Sequence, residues 1–227
     1  MSQPLINCPS LANSSLLDLR RDIAELWAGG ARYYHIDIMD GHYVPNLCYP
    51  VRLVSDLKKV YPDAVTDVHL MTTDPCRYIA PLASAGCNML SFHIDSTNFV
   101  IRTIRQIRSE GMKPGVVINP SQRIDILEPY LDLVDYVVLM SVEPGFAGQA
   151  FMPEAVTRVK ELAELRSKSG NDFLISVDGG ISYPYVQPCV RNGANMFVTG
   201  IYTVYRQEDG IISACRRFEA EMRKGIQ

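Results

Sequence analysis

The chain has 227 residues, of which 47% are hydrophobic and 21% charged, so it can bury a core and is neither disordered nor fibrous. A net charge of −3 and a pI near 5.8 give no general electrostatic footprint for nucleic acid or an acidic membrane surface. The six cysteines (Cys8, Cys48, Cys76, Cys87, Cys189 and Cys215) have no Cys-x-x-Cys and no paired spacing, which excludes a disulfide-stapled miniature and a cysteine zinc site.

In chain order, short β-branched and aromatic runs begin near Leu5, Tyr33, Ala64, Met89, Lys113, Tyr136, Phe173 and Met196, each followed by a helix-like stretch that ends in Gly, Asn or Pro. Eight βα units of about 28 residues use up residues 1–227, which predicts α/β class and a single-domain (β/α)8 TIM barrel. A doubly wound open sheet would place a Gly-rich turn after the first strand, where this chain has Cys8-Pro-Ser-Leu. The N-terminal Met1-Ser-Gln-Pro-Leu-Ile-Asn lacks a basic region followed by an apolar stretch, and no apolar run approaches the roughly 18 residues of a membrane span. A cytoplasmic protein with reduced thiols and no membrane partner is expected. The basic cluster Arg216, Arg217, Arg223 and Lys224 falls in a helical pattern and reads as a solvated face.

Residues two apart on a strand share a face. In Tyr34-His-Ile-Asp-Ile-Met-Asp40, Ile36 and Ile38 point one way and His35, Asp37 and Met39 the other, which is expected to be toward the barrel axis. Burying an imidazole and a carboxylate there requires a partner, and both a divalent cation and a core His–Asp hydrogen bond would serve. The other strands tip the balance. His69 in Asp67-Val-His-Leu-Met71, His93 in Ser91-Phe-His93 and Asp178 in Ile175-Ser-Val-Asp-Gly-Gly180 all fall near strand C-termini, the rim where barrel enzymes place their chemistry. His35, Asp37, His69 and Asp178 form an N2O2 set suited to one divalent metal ion, Zn²⁺, Mn²⁺, Fe²⁺ or Co²⁺. Three glycine loops, Pro144-Gly-Phe-Ala-Gly-Gln149, Gly179-Gly180 and Thr199-Gly-Ile201, follow strands six to eight, where backbone N–H groups can approach a phosphate.

Together, His35-Ile-Asp-Ile-Met-Asp-Gly-His-Tyr-Val-Pro-Asn46, Asp67-Val-His-Leu-Met71, Pro144-Gly-Phe-Ala-Gly-Gln149 and Val177-Asp-Gly-Gly-Ile181 closely resemble the ribulose-phosphate 3-epimerase family, from about Pro9-Ser10 to Gly200. The resemblance implies a barrel of the ribulose-phosphate-binding type, a divalent metal, a ketose phosphate as substrate and epimerisation at C3. It makes His35, Asp37, His69 and Asp178 the metal ligands, and Asp37 and Asp178 also the catalytic acid/base pair. Ser10 would touch the substrate near the reacting carbons, with His69 and Asp178 beside it. Met39, Met71 and Met140 would line the site. Gly145, Phe146, Ala147, Gly148, Gly179, Gly180, Gly200 and Ile201 would hold the phosphate. Two departures stand out. The family usually has Gly-Ser where this chain has Gly200-Ile201, so a hydroxyl is missing for which Tyr202 or Thr203 could substitute. Ala147 in place of a more usual glycine resembles the allulose-6-phosphate branch.

The chemistry accounts for the residue types. Inverting C3 beside a C2 ketone needs a base on one face and an acid on the other, and a metal that stabilises the charge of an ene-diolate on O2 and O3. The expected reaction is D-ribulose 5-phosphate to D-xylulose 5-phosphate, with a hexulose phosphate such as D-allulose 6-phosphate as the alternative substrate. A Schiff-base aldolase would need a desolvated axial lysine, yet most of Lys58, Lys59, Lys113, Lys160, Lys168 and Lys224 lie in helix-like segments and Lys113 starts its strand. A related decarboxylase would carry Asp-x-Lys-x-x-Asp, which is absent. A sugar-phosphate-binding barrel without catalysis is the rival from another class. Apolar and aromatic residues on the outer helices would support a homo-oligomer.

Overall fold

The computed structural model describes residues 3–226. Eight strands, β1 (Ile6–Pro9), β2 (Tyr33–Met39), β3 (Val65–Met71), β4 (Met89–His93), β5 (Lys113–Ile118), β6 (Tyr136–Met140), β7 (Leu174–Asp178) and β8 (Met196–Thr199), begin within one residue of the predicted starts. They pair in parallel in the order β1-β8-β7-β6-β5-β4-β3-β2, and a parallel bridge between Ser10 and His35 joins the two ends into a barrel. The α-helices that follow the strands are α1 (Leu19–Ala28), α2 (Arg52–Val60), α3 (Cys76–Ser84), α4 (Val100–Ser109), α5 (Ala155–Ser169), α6 (Tyr183–Arg191) and α7 (Gly210–Lys224).

The period of two along each strand sorts the apolar residues into two cores. Ile36, Val68, Leu70, Leu90, Phe92 and Val116 point outward and pack beneath the helices. Ile6, Cys8, Met89, Val117, Tyr136, Val138 and Met196 fill the barrel interior. Helices meet the outer core along one stripe: α4 buries Val100, Thr103, Ile104 and Ile107, an i, i+3, i+4, i+7 pattern. Each fully buried side chain of this kind contributes about 1.5–3 kcal/mol, so the two cores hold the barrel and leave its rim free for polar groups.

The fifth unit departs from the expected βα pattern. The segment after β5 is a 3-10 helix, Ile124–Tyr130, with Pro129 inside it. A second 3-10 helix, Leu11–Asn13, precedes α1 and places Asn13 at the rim. The C-terminal basic residues are exposed, with Arg217 paired to Asp209. No described helix is long and apolar enough to cross a membrane.

Candidate functional site

The β2–β3 register sets Asp37 beside His69 and His35 beside Asp67, all on the inner face, and β7 delivers Asp178 to the same level. His35 Nε2 lies 3.3 Å from Asp37 Oδ1 and 3.5 Å from Asp178 Oδ2. His69 Nδ1 lies 3.5 Å and 3.4 Å from the same two oxygens. One donor atom from each of the four residues therefore falls within 4.8 Å of all the others. The four residues read from the strand ends converge on one point.

The four groups perturb one another's ionisation. Burial alone would raise the Asp37 and Asp178 carboxyls, but the two imidazoles outweigh it and hold both below the usual carboxylate range. Burial alone would lower His35 and His69, yet the carboxylates around them hold His35 well above, and His69 above, the usual imidazole value. His35 Nε2 and His69 Nδ1 are buried and have no hydrogen-bond partner. Their second nitrogens are occupied: His35 Nδ1 is 2.7 Å from Asp67 Oδ2, and His69 Nε2 is 2.8 Å from His93 Nε2. Burial and the neighbouring His69 push His93 well below its usual value, so its neutral ring can accept the His69 Nε2–H. Two orphaned nitrogens aimed between two ionised oxygens fit a divalent cation held by N2O2 donors.

A cleft opens above the cluster. Ser10 donates its hydroxyl to Asp37 Oδ2 at 2.8 Å, and Met39, Met71 and Met140 line the walls. The loop after β2 is tied down by Asp40, whose carboxylate accepts from His42 N, Tyr43 N, Thr73 N and Thr73 Oγ1 at 2.8–3.0 Å. Burial opposes its ionisation, but these donors hold Asp40 down at about 2. From that anchored loop Asn46 Nδ2 donates to the Gly145 carbonyl at 2.8 Å, linking the β2 motif to the glycine loop after β6.

The three glycine loops line one end of the cleft, and no lysine or arginine is among its described lining residues. An anion there would meet backbone dipoles and neutral polar side chains such as Asn13. Among the described residues, the N–H groups of Gly148, Gly179, Gly180, Gly200 and Ile201 donate to no backbone carbonyl. Gly180 has a φ of +59°, and a Cβ there would lie 2.5 Å from Phe151 N and 2.6 Å from Gln149 O, so only glycine brings the loops together. Gly180→Ala is expected to lower the melting temperature by on the order of 5 °C, from a backbone strain of about 1–3 kcal/mol, and to weaken inorganic phosphate binding. Calorimetric melting and a phosphate titration check it; a variant matching the wild type in both would contradict this account of the loop.

The structure also sorts the residues that sequence reading left open or missed. Thr203 is fully buried and does not line the cleft. Tyr202 does line it, but its hydroxyl donates to the Gly148 carbonyl at 2.7 Å, so neither takes the place of a serine hydroxyl at position 201. Asn13 faces Gly200, with its amide 3.0–3.1 Å from where a Cβ would sit, and is the polar group that sequence reading missed at this end. No motif marked it. Asp67 was equally missed as a partner of His35, although its spacing of two from His69 assigns it to the inner face. His93, a strand-end histidine, stands behind His69 and outside the four-residue cluster.

Comparison with known proteins gives a consistent picture. The Ribulose-phosphate 3 epimerase family matches residues 6–204. Ribulose-phosphate 3-epimerase of Bacillus subtilis (strain 168) is 39% identical over 202 residues, covering 88% of this chain and 92% of that protein. Its counterpart from Escherichia coli (strain K12) is 36% identical over 200 residues, covering 88% of each. Among solved structures, 3-keto-L-gulonate-6-phosphate decarboxylase from Vibrio cholerae superposes with a TM-score of 0.72 at 15% identity, covering 99% of this chain and 98% of that one, a likeness of fold alone.

Proposed function

Because the chain belongs to the ribulose-phosphate 3-epimerase family, we propose that it interconverts D-ribulose 5-phosphate and D-xylulose 5-phosphate, with Asp37 and Asp178 moving the proton at C3. One carboxylate takes the C3 proton from one face. The other, as the carboxylic acid, returns a proton to the opposite face, and the two exchange roles in the reverse direction. Asp37 on β2 and Asp178 on β7 belong to strands separated by β1 and β8 around the barrel, an arrangement that supports approach from two sides.

The observation that carries this reading is the pair of buried, partnerless nitrogens, His35 Nε2 and His69 Nδ1, facing the two carboxylates. His35, Asp37, His69 and Asp178 would hold one divalent cation, and that cation would act as a Lewis acid on the negative charge that develops at O2 and O3. Burying two carboxylates in one small site costs several kcal/mol per ion unless positive charge offsets it, which protonated His35 and His69 supply without a metal and the cation would supply in their place. Ser10, hydrogen-bonded to Asp37, sits where it can orient the reacting carbons. Met39, Met71 and Met140 keep bulk water from the face of the sugar. The N–H groups of Gly145 to Gly148, Gly179, Gly180, Gly200 and Ile201 cradle the phosphate.

The test is proton NMR of ribulose 5-phosphate in deuterated water with the manganese- or zinc-loaded protein. Deuterium at C3 together with xylulose 5-phosphate is the expected result. Neither label nor product, with phosphate binding retained, would leave a sugar-phosphate-binding barrel. Faster turnover of D-allulose 6-phosphate in parallel would move the assignment to a hexulose phosphate.

A further inference from the structure

Behind the four-residue cluster, the barrel interior holds a carboxylate that has no access to solvent. Asp67 is fully buried on β3 and accepts from His35 Nδ1 at 2.7 Å, from the Tyr136 hydroxyl at 2.8 Å and, in a long thiol contact, from Cys8 Sγ at 4.0 Å. Tyr136, on β6 across the interior, is itself fully buried. Its ring occupies the space that a side chain at position 115 would fill: a Cβ on Gly115 would lie 2.5 Å from the ring. A neighbouring strand thus gives up its side chain so that a phenol can reach this one carboxylate.

Burying a phenol and a carboxylate in an apolar core costs free energy unless they are hydrogen-bonded, and here each is partnered. The arrangement has a direction. Tyr136 donates to Asp67 Oδ1 and His35 Nδ1–H donates to Oδ2, so a cation that displaces a proton from His35 meets the lone pair on Nε2, the atom facing Asp37 and Asp178. We propose that Tyr136 and Asp67 form a buried positioning relay that fixes the orientation and proton placement of His35 and thereby tightens divalent-cation binding at the barrel mouth. The inference rests on the metal reading given above. Neither residue touches the substrate cleft, and both are positioning residues.

The experiment compares the full chain with Asp67→Asn and Tyr136→Phe. Each protein is stripped with a chelator, titrated with Co²⁺ by its visible absorption, and examined by proton NMR for the downfield His35 ring N–H. Asn presents either oxygen or nitrogen to His35 and carries no charge, so Asp67→Asn is expected to weaken Co²⁺ binding ~10–100-fold and to lose the slowly exchanging N–H signal. Tyr136→Phe keeps the ring beside Gly115 and removes one hydrogen bond, for an expected loss of roughly three- to tenfold. Because this second variant preserves packing, it carries the test if Asp67→Asn fails to fold. A structural role alone would lower the melting temperature of the stripped variants and leave Co²⁺ affinity and the N–H signal as in the wild type, which would overturn the relay. If the wild type itself takes up no Co²⁺, the metal reading fails separately. The N–H signal still decides the relay: present in the wild type and lost in Asp67→Asn supports it, unchanged in both overturns it.

Discussion

Asp178→Asn, assayed at saturating Mn²⁺, is expected to form xylulose 5-phosphate from ribulose 5-phosphate ~10²–10⁴-fold more slowly than the wild type, the usual contribution of a positioned proton-transfer group. The amide cannot accept or return a proton at C3, and it also removes one of the two anionic donors from the cluster. Quantifying bound manganese separates these effects, since a variant with full metal occupancy and lost turnover has lost the acid/base function. Asp37→Asn should behave alike, and where its amide nitrogen takes the place of Oδ2 it also removes the acceptor of the Ser10 hydroxyl. Turnover by Asp178→Asn within tenfold of the wild type would remove Asp178 from the reaction.

Stripping the metal is expected to have an effect of similar size, ~10²–10⁴-fold in turnover, because several kcal/mol of charge stabilisation at the developing ene-diolate is lost. The pH dependence has a definite sign. His35 and His69 are held above the usual imidazole value in the metal-free cluster, so protons compete with the cation for the same atoms, and uptake must release them. Affinity should rise with pH until these raised values are passed. The stability of the stripped protein runs the other way. The pairing of protonated His35 and His69 with the carboxylates is fully present below the unfolded imidazole value of about 6.5, and it is lost as pH rises through the raised folded values. The increase in melting temperature on adding Mn²⁺ or Zn²⁺ should therefore grow with pH across this window. An increase that is constant, or that shrinks, would place the cation elsewhere.

Much of this architecture is legible in the sequence because barrel strands are local signals. A β-branched run followed by a helical stripe identifies each unit, and the starts of all eight strands fall within a residue of their predicted positions. The exception is the segment after β5, a 3-10 helix whose proline does not by itself distinguish it from α3 and α6, which hold Pro81 and Pro188 and stay α-helical. The alternation rule also separates Ile36 and Ile38 from His35 and Asp37, since one set packs under helices and the other faces the axis. What escaped depends on contacts between distant segments. Asn13 meets Gly200 only because β1 pairs with β8. Tyr136 reaches Asp67 only because Gly115 leaves room across the interior. No spacing along the chain encodes either meeting. Of the two alternatives weighed for β2, the core His–Asp hydrogen bond is present at His35 Nδ1, while His35 Nε2 is left without a hydrogen-bond partner for the cation proposed above.

Anomalous diffraction from a crystal of this protein soaked in manganese, collected at the manganese absorption edge, decides whether a cation binds between the four side chains. A single strong peak is predicted at the barrel mouth, bounded by His35 Nε2, His69 Nδ1 and one oxygen each of Asp37 and Asp178. A map with no peak among those four side chains, or with the only peak outside the barrel, would contradict the account.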